Sequence, residues 1–345
     1  MKILMILPEF EEGGVERHVL WLSTELSTLG HTVSIVTAGG RLEEKLPPEV
    51  RVMHLPVHRK NPFTAFFSAV RIARIARLEA FDLLHAHSRV PAWIAWWASR
   101  MSGKPWILTA HDRYRKNFAI GPFWKADGAI CVSVAVRSHL EGFLPINAVV
   151  IRNGIPDPSA RWQRKEGPGP FRFLFVGRLT RRKGLHVALS ALASVKEIRW
   201  VLDILGDGPQ REELEAMTVG LGLEERVRFH GFRDDVGTWM ASSDCLLFPS
   251  FDEGMPLTLM QGIRTGVPVL ASGIDPVLEL VGEEAAGLIP PGEAKTWERA
   301  LSGVASRECE APVFNPALVP SSAEMAARVE TYLKTIVSGG KEQTS

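Results

Sequence analysis

Short runs of apolar and β-branched residues alternate along this chain with longer segments whose apolar positions recur every three or four residues. The runs predict strands over Lys2–Leu7, Thr32–Thr37, Arg51–Leu55, Asp82–Ala86, Trp106–Ala110, Ala129–Ser133 and Ala148–Arg152. Helical spacing falls between them, over about 14–29, 62–79, 90–101 and 135–143. The alternation restarts with strands at Phe171–Gly177, Trp200–Leu205, Arg226–His230, Cys245–Pro249 and Val267–Ser272, interleaved with helices over about 184–195, 209–221 and 257–265. Between the two series, Gly154–Pro170 is dense in proline, glycine and charge. Two βαβ series predict an α/β protein of two facing doubly wound, Rossmann-like domains. We expect a first domain over 1–157, a linker over 158–170 and a second domain over 171–318. The remainder, 319–345, holds an amphipathic helix over Ala323–Val337 with the stripe Met325, Val329, Leu333 and Ile336, able to brace the first domain, and a tail that frays from 338. Sheets of this kind bind ligands outside the carboxyl ends of their strands, so the expected site is an interdomain cleft.

Charge changes this picture. The 345 residues carry a net +1, but residues 1–165 hold 22 basic and 14 acidic side chains (net +8), and the rest hold 18 and 25 (net −7). The first half is therefore the candidate for an anionic partner. Cys131, Cys245 and Cys309 are few and widely spaced, which argues against a disulfide framework or a zinc site and for buried reduced thiols. The apolar run at the N-terminus is too short for a signal sequence, and no stretch approaches the ~18 apolar residues of a membrane span. A cytoplasmic protein is expected.

Three segments carry chemistry. In Gly177-Arg178-Leu179-Thr180-Arg181-Arg182-Lys183-Gly184 a basic cluster leads into a helix start, where free N–H groups, the helix dipole and cationic side chains together suit a phosphate. The order of Lys and Gly is not that of a P-loop, and a solvated basic loop is the plain alternative. In Pro249-Ser250-Phe251-Asp252-Glu253-Gly254-Met255-Pro256, Glu253 falls in a strand-to-helix loop, placed either to accept sugar hydroxyls or to cap the helix. Gly13-Gly14 follows the first strand and opens a helix, permitting close backbone approach by a ligand, without the glycine fingerprint of a dinucleotide site. His111 ends a strand at the same face.

The chain resembles the retaining glycosyltransferases of family 4 (group 1), with two Rossmann-like domains in the GT-B arrangement. The resemblance rests on Gly13-Gly14-Val15-Glu16-Arg17, Gly30-His31-Thr32-Val33, Asp82-Leu83-Leu84-His85-Ala86-His87-Ser88 and Asn153-Gly154-Ile155. In the second half it rests on Val176-Gly177-Arg178 with Lys183-Gly184, Leu205-Gly206-Asp207-Gly208-Pro209, Val227 through Gly231, and Pro249-Ser250 with Glu253-Gly254 and Pro256, running on to Gly266-Val267-Pro268. It implies a nucleotide-diphosphate sugar as donor substrate on the second domain and the acceptor on the first. Arg178 and Lys183 would hold and stabilise the leaving diphosphate without a metal ion or other cofactor, and His111 would lie by the anomeric carbon. Glu253 would bond a donor hydroxyl. Gly13, Gly14, Gly208, Gly231, Phe232, Gly254, Met255, Pro256, Leu257 and Gln261 would complete the donor site. Position 261 departs from the family's Glu-x7-Glu spacing, since a neutral amide stands where the second carboxylate would grip the ribose. Weakened or altered nucleotide binding is expected there.

From Arg51 to Leu78 there are six basic residues and no acid. Arg71, Arg74 and Arg77 recur on one predicted helix, with Phe63, Phe66, Phe67, Val70 and Ile75 expected on its other side. Five tryptophans fall within 93–124. Together with Arg113 this suggests an acceptor side that rests on an anionic membrane, and a lipid-linked or envelope-glycan acceptor. Location would then be the inner face of the cell membrane. A helix packed on its own sheet is the alternative. No nucleic-acid motif accompanies the charge. A non-catalytic sugar-nucleotide-binding protein of the same fold is the competing function, motivated by Gln261.

Overall fold

Every strand pairing in the computed structural model is parallel, and the strands form two sheets. The structure describes residues 1–164, 167, 169–195 and 197–342. The chain divides after Pro156 and returns to its first unit at Pro320. The first unit runs β1 Lys2–Ile6, α1 Gly14–Thr28, β2 Thr32–Thr37, β3 Arg51–His54, α2 Pro62–Leu78, β4 Leu83–His87, α3 Arg89–Ser102, β5 Trp106–Ala110, β6 Gly128–Cys131, α4 Val134–His139 and β7 Val149–Val150. The second runs β8 Phe171–Val176, α5 Leu185–Leu192, β9 Trp200–Leu205, α6 Arg211–Gly220, β10 Val227–Gly231, α7 Val236–Ser242, β11 Cys245–Phe248, α8 Leu257–Thr265, β12 Val269–Ser272, α9 Asp275–Val281, β13 Leu288–Ile289 and α10 Ala294–Ala305. A last helix, α11 Ser322–Glu342, belongs to the first unit.

The sheet orders are β3-β2-β1-β4-β5-β6-β7 and β10-β9-β8-β11-β12-β13. Each reverses direction once, between β1 and β4 and between β8 and β11. The loops leaving these paired strands diverge to opposite faces, which opens a crevice at the carboxyl edge of each sheet. Strands buried on both faces read as continuous apolar runs, so β4, β5, β11 and β12 carry no exposed position.

Several expectations are corrected. The helix expected over 184–195 stops at Leu192, although Val195 stays in the core and its carbonyl accepts from Trp200 Nε1 at 2.7 Å. The apolar period therefore outlasted the helix. The helix expected over 135–143 ends at His139, before Gly142 at φ +81°. The stretch read as a linker lies with the second unit: Trp162 donates from its backbone N–H to Thr265 O and from Nε1 to Ser243 O, both at 2.8 Å. Cys131 and Cys245 are buried, but Cys309 is exposed. α7, α9, α10 and β13 were not predicted, although Trp297, Leu301 and Val304 give α10 a clear helical stripe.

α11 extends past the expected end at Val337 to Glu342; residues 343–345 of the expected tail lie outside the described residues. Met325, Ala326, Val329, Leu333 and Ile336 enter the core formed by Ile3, Leu22, Leu26 and Val33. Polar contacts fix the register of this docking. Tyr332 Oη accepts from Ala129 N at 2.9 Å and donates to Asn147 O at 3.0 Å, and Ser322 Oγ donates to Glu25 at 2.6 Å. At Gly154 a Cβ would overlap the Ser321 carbonyl, so the two passes of the chain meet backbone to backbone. Leu333 is fully buried, and Leu333→Ala should destabilise the protein by about 2–5 kcal/mol, read by denaturant unfolding of the full chain.

Candidate functional site

In the second unit the crevice between β8 and β11 is built by glycines that let loops touch. Gly184 has φ +70°, and a Cβ there would overlap the Pro249 carbonyl. Phe251 N donates to Arg182 O at 2.8 Å across the same junction. A Cβ at Gly206 would likewise overlap the Gly177 carbonyl, and one at Gly208 would press on the backbone of Leu179. Arg181–Lys183 form a tight 3-10 turn ahead of α5, so the basic cluster precedes the helix by one turn instead of capping it.

This packing brings Lys183 and Glu253 together. Lys183 Nζ lies 2.6 Å from Glu253 Oε1, which also accepts from Ser250 Oγ at 2.9 Å. Glu253 is only 5% exposed, so its charge requires these partners. Arg178 is exposed on the same β8 loop. Gly254, Met255 and Pro256 are buried behind Glu253, and Leu257 opens α8. Gln261 is half-buried one turn further along that helix. Gly231 (φ +66°) ends β10 and Phe232 follows it; Gly231 O accepts from Gly206 N at 2.7 Å. The chemistry on offer is a cation beside a hydroxyl-accepting carboxylate.

In the first unit, Gly13 and Gly14 sit at the N-terminus of α1, after β1, with Gly13 extended and making no side-chain cap. Across the switch point, His111 follows β5, half-buried, and does not stand alone. His87 Nδ1 lies 3.1 Å from His111 Nε2, and the His18 ring centroid is 4.8 Å from that of His111. The His85 ring lies tilted, 4.2 Å from His87 between centroids, and pairs through Nε2 with Thr109 Oγ1 at 2.7 Å. Burial brings His18 down to about 4, with Asn153 opposing in part. Burial and then His18 bring His85 to about 3. His87 and His111 are held well below the ordinary imidazole value, first by burial and then by neighbouring imidazoles. All four rings are neutral at pH 7.

The sequence reading singled out only His111 of this cluster. Its signal was available: His85 and His87 are two apart on one strand, so they share a face, and His87 ends a strand beside the one His111 follows. His18 had no such signal, because only the packing of α1 brings it there. Ser88, at φ +86° and ψ 176°, holds the chain after His87 in a region that normally requires glycine.

The acceptor-side expectation needs one correction. The face of α2 that packs is Ala65, Ser68, Ala69, Ile72, Ala73 and Ala76. Phe63 (77% exposed), Phe66, Phe67 and Val70 lie in solvent together with Arg71, Arg74 and Arg77, not on an opposite face. Small residues suit the close contact with α3, which leaves the larger side chains outside. Arg77 donates to Met101 O, and Arg113 is half-buried two residues beyond His111. The aromatic surface continues from Phe66 to Trp97 at 5.9 Å, through Trp93, to the 82%-exposed Phe118 at 4.9 Å. Lys125 Nζ lies over the rings of Trp96 and Trp124 at 4.6 and 4.8 Å. Among the described residues no helix is long and apolar enough to cross a membrane.

Residues 12–157 match the model of Glycosyltransferase Family 4, and residues 170–307 match that of Glycosyl transferases group 1. The chain belongs to this glycosyltransferase family. The glycosyltransferase is 29% identical over 378 residues to a phosphatidyl-myo-inositol mannosyltransferase of Mycobacterium leprae, covering all of both chains. It is 25% identical over 373 residues to an alpha-monoglucosyldiacylglycerol synthase of Streptococcus pneumoniae, covering 94% of this chain and 83% of that one. Its fold matches a glycosyltransferase from Rickettsia africae (TM-score 0.78, 22% identity, 97% and 98% of the chains). It also matches Anabaena Alr3699/HepE in complex with UDP and glucose (TM-score 0.76, 20% identity, 100% and 99%). Both are GT-B-type likenesses of two Rossmann-like units.

The buried histidines have a consequence for stability. Below pH ~6.5 the unfolded chain binds protons that folded His18 and His85 refuse until about 4 and 3, so stability falls as pH drops through that window. By pH ~5 each such histidine contributes about 2 kcal/mol of destabilisation. Thermal unfolding should shift down between pH ~7.5 and ~5, and His85→Gln, which cannot titrate, should flatten the slope.

Proposed function

We propose that this glycosyltransferase moves a hexose-type sugar from a nucleotide-diphosphate sugar to a lipid-linked or cell-envelope glycan acceptor, with retention of anomeric configuration and without a metal ion in the transfer. The Lys183–Glu253 pair carries the reading. A phosphate next to a polyol is what a cation and a carboxylate 2.6 Å apart would recognise, each exchanging its partner for a ligand group. Arg178 on the same loop supplies a second cation, and two fixed cations can stabilise a departing diphosphate where other enzymes use Mg²⁺. Gly13 and Gly14 would give backbone N–H groups to the donor, and His111, neutral by burial, would lie by the anomeric carbon. Retention follows if the leaving phosphate itself takes the acceptor proton, which agrees with the lack of a paired catalytic carboxylate in the sequence motifs. Gln261 would give the ribose a neutral hydrogen bond.

The donor assignment is tested by a thermal-shift panel of UDP, GDP, ADP and their sugars, because binding raises stability as RT ln(1 + [L]/Kd). One nucleotide series should stabilise the protein. Lys183→Ala should weaken it by about 10- to 100-fold, the worth of a charged hydrogen bond. Unchanged affinity in that variant, with its fold intact by circular dichroism, would remove Lys183 from the donor site. Sugar binding with no turnover on any lipid or glycan acceptor would favour a non-catalytic role.

The acceptor assignment is supported by the exposed face of α2 and its aromatic continuation. Phenylalanines in the first turns and arginines in the last would enter the headgroup layer and meet anionic lipid, respectively. The names of the two curated relatives, both acting on lipids, agree with this. Co-sedimentation with anionic vesicles should fall severalfold in Phe63→Ser/Phe67→Ser, and also when the anionic lipid is replaced by a zwitterionic one. Equal binding to both vesicles would leave the arginines without a role at the membrane.

A further inference from the structure

We propose that His18, His87 and His111 form a binding site for one divalent transition-metal ion of the Zn²⁺ and Co²⁺ class. One ligand atom from each ring lies within 4.8 Å of the other two. A tetrahedral ion with bonds of about 2.0–2.1 Å spaces its ligands roughly 3.3 Å apart. His87 Nδ1 and His111 Nε2 are already 3.1 Å apart. Closure on a common ion therefore needs movements of roughly 1.5 Å at most, within reach of side-chain rotation.

The surroundings favour such an ion. His18 and His87 are 2% and 0% exposed, and neither His18 nitrogen has a well-formed hydrogen bond among the described residues, although Asn153 faces that ring. Buried polar atoms are normally satisfied, and those left over mark a missing partner. The donor set is three neutral imidazoles with no carboxylate, which suits borderline transition metals and disfavours Mg²⁺ and Ca²⁺. Three protein ligands also leave a fourth position open to water or an anion. His85 packs against the cluster: its ring lies tilted against His87 and pairs with Thr109. The strained Ser88 fixes the backbone directly after His87.

None of its three ligands is a residue assigned to the diphosphate, so the ion is not proposed to supply the chemistry of transfer. An ion bound through His111 would withdraw that ring from the sugar, and metal would then inhibit. That consequence rests on the proposed function, whereas binding does not, so the two are tested apart.

The metal-stripped full-length protein is titrated with CoCl₂ and followed by its visible d–d absorption, with ZnCl₂ calorimetry in parallel. One equivalent of Co²⁺ should produce an intense band of a four- or five-coordinate ion, which Zn²⁺ displaces. His18→Ala and His87→Ala should each weaken binding by more than about tenfold, since even outer partners of ligating histidines have effects of that size. Cys309→Ser, which removes the exposed thiol, should leave the band intact. A protein that takes up no Co²⁺ or Zn²⁺ would overturn the proposal. So would a band that survives both histidine variants or disappears with Cys309. Circular dichroism and nucleotide-sugar binding by the variants report whether they fold, and failure of donor binding in the unaltered protein would count against the enzymatic reading without touching the metal site.

Discussion

A parallel strand cannot join its neighbour by a tight turn, and both units depend on that constraint. Each connection must cross over a face of the sheet, so every loop that follows a strand emerges at the same edge. β1 and β8 sit where the order of strands reverses, with β4 and β11 beside them. The loops there part to opposite faces and leave the edge open. Gly13–Gly14, His87 and His111 stand at one such edge, and Arg178, Lys183 and Glu253 at the other. The chemistry is placed by topology before any side chain contributes to it.

Within the second unit, close packing turns this placement into an ion pair. Gly184 and Gly206 are positions where a side chain would meet a neighbouring carbonyl. Without Gly184 the β8 loop would stand away from the β11 loop, and Glu253 would be buried without Lys183; Gly206 seats the loop after β9 on the loop after β8. A buried carboxylate lacking its partner is strongly unfavourable, so Gly184 and the pair are one device. The first unit solves a different problem. His85 and His87 each keep a buried nitrogen without a hydrogen bond among the described residues, and burial keeps all four imidazoles uncharged. The first unit, 1–156 with 320–345, carries 22 basic and 16 acidic side chains (net +6), and thus has a neutral, nitrogen-lined interior at its switch point with Arg71, Arg74 and Arg77 outside.

The exposed face of α2 shows where pattern alone misleads. A hydrophobic stripe ordinarily marks the side of a helix that packs. Here four alanines, Ser68 and Ile72 pack, and the phenylalanines remain in water beside the arginines. Large exposed apolar surface of this kind marks an interaction site.

By itself the sequence determined the strand and helix order of the first unit and part of the second's, the two-unit architecture and the segments Arg178–Gly184 and Pro249–Pro256, because period, glycine placement and charge are local properties. It also placed α11 as an amphipathic brace. The boundaries of α5 and α4 were less legible, since apolar spacing continues past the point where the backbone turns. Only the tertiary structure paired Lys183 with Glu253, 70 positions apart, and gathered His18 with His87 and His111. It alone showed that α11 closes the first unit's core and that α2 turns its aromatics outward. Such facts depend on which helix lies over which strand, and that is fixed by packing of the whole unit, not by any window of residues.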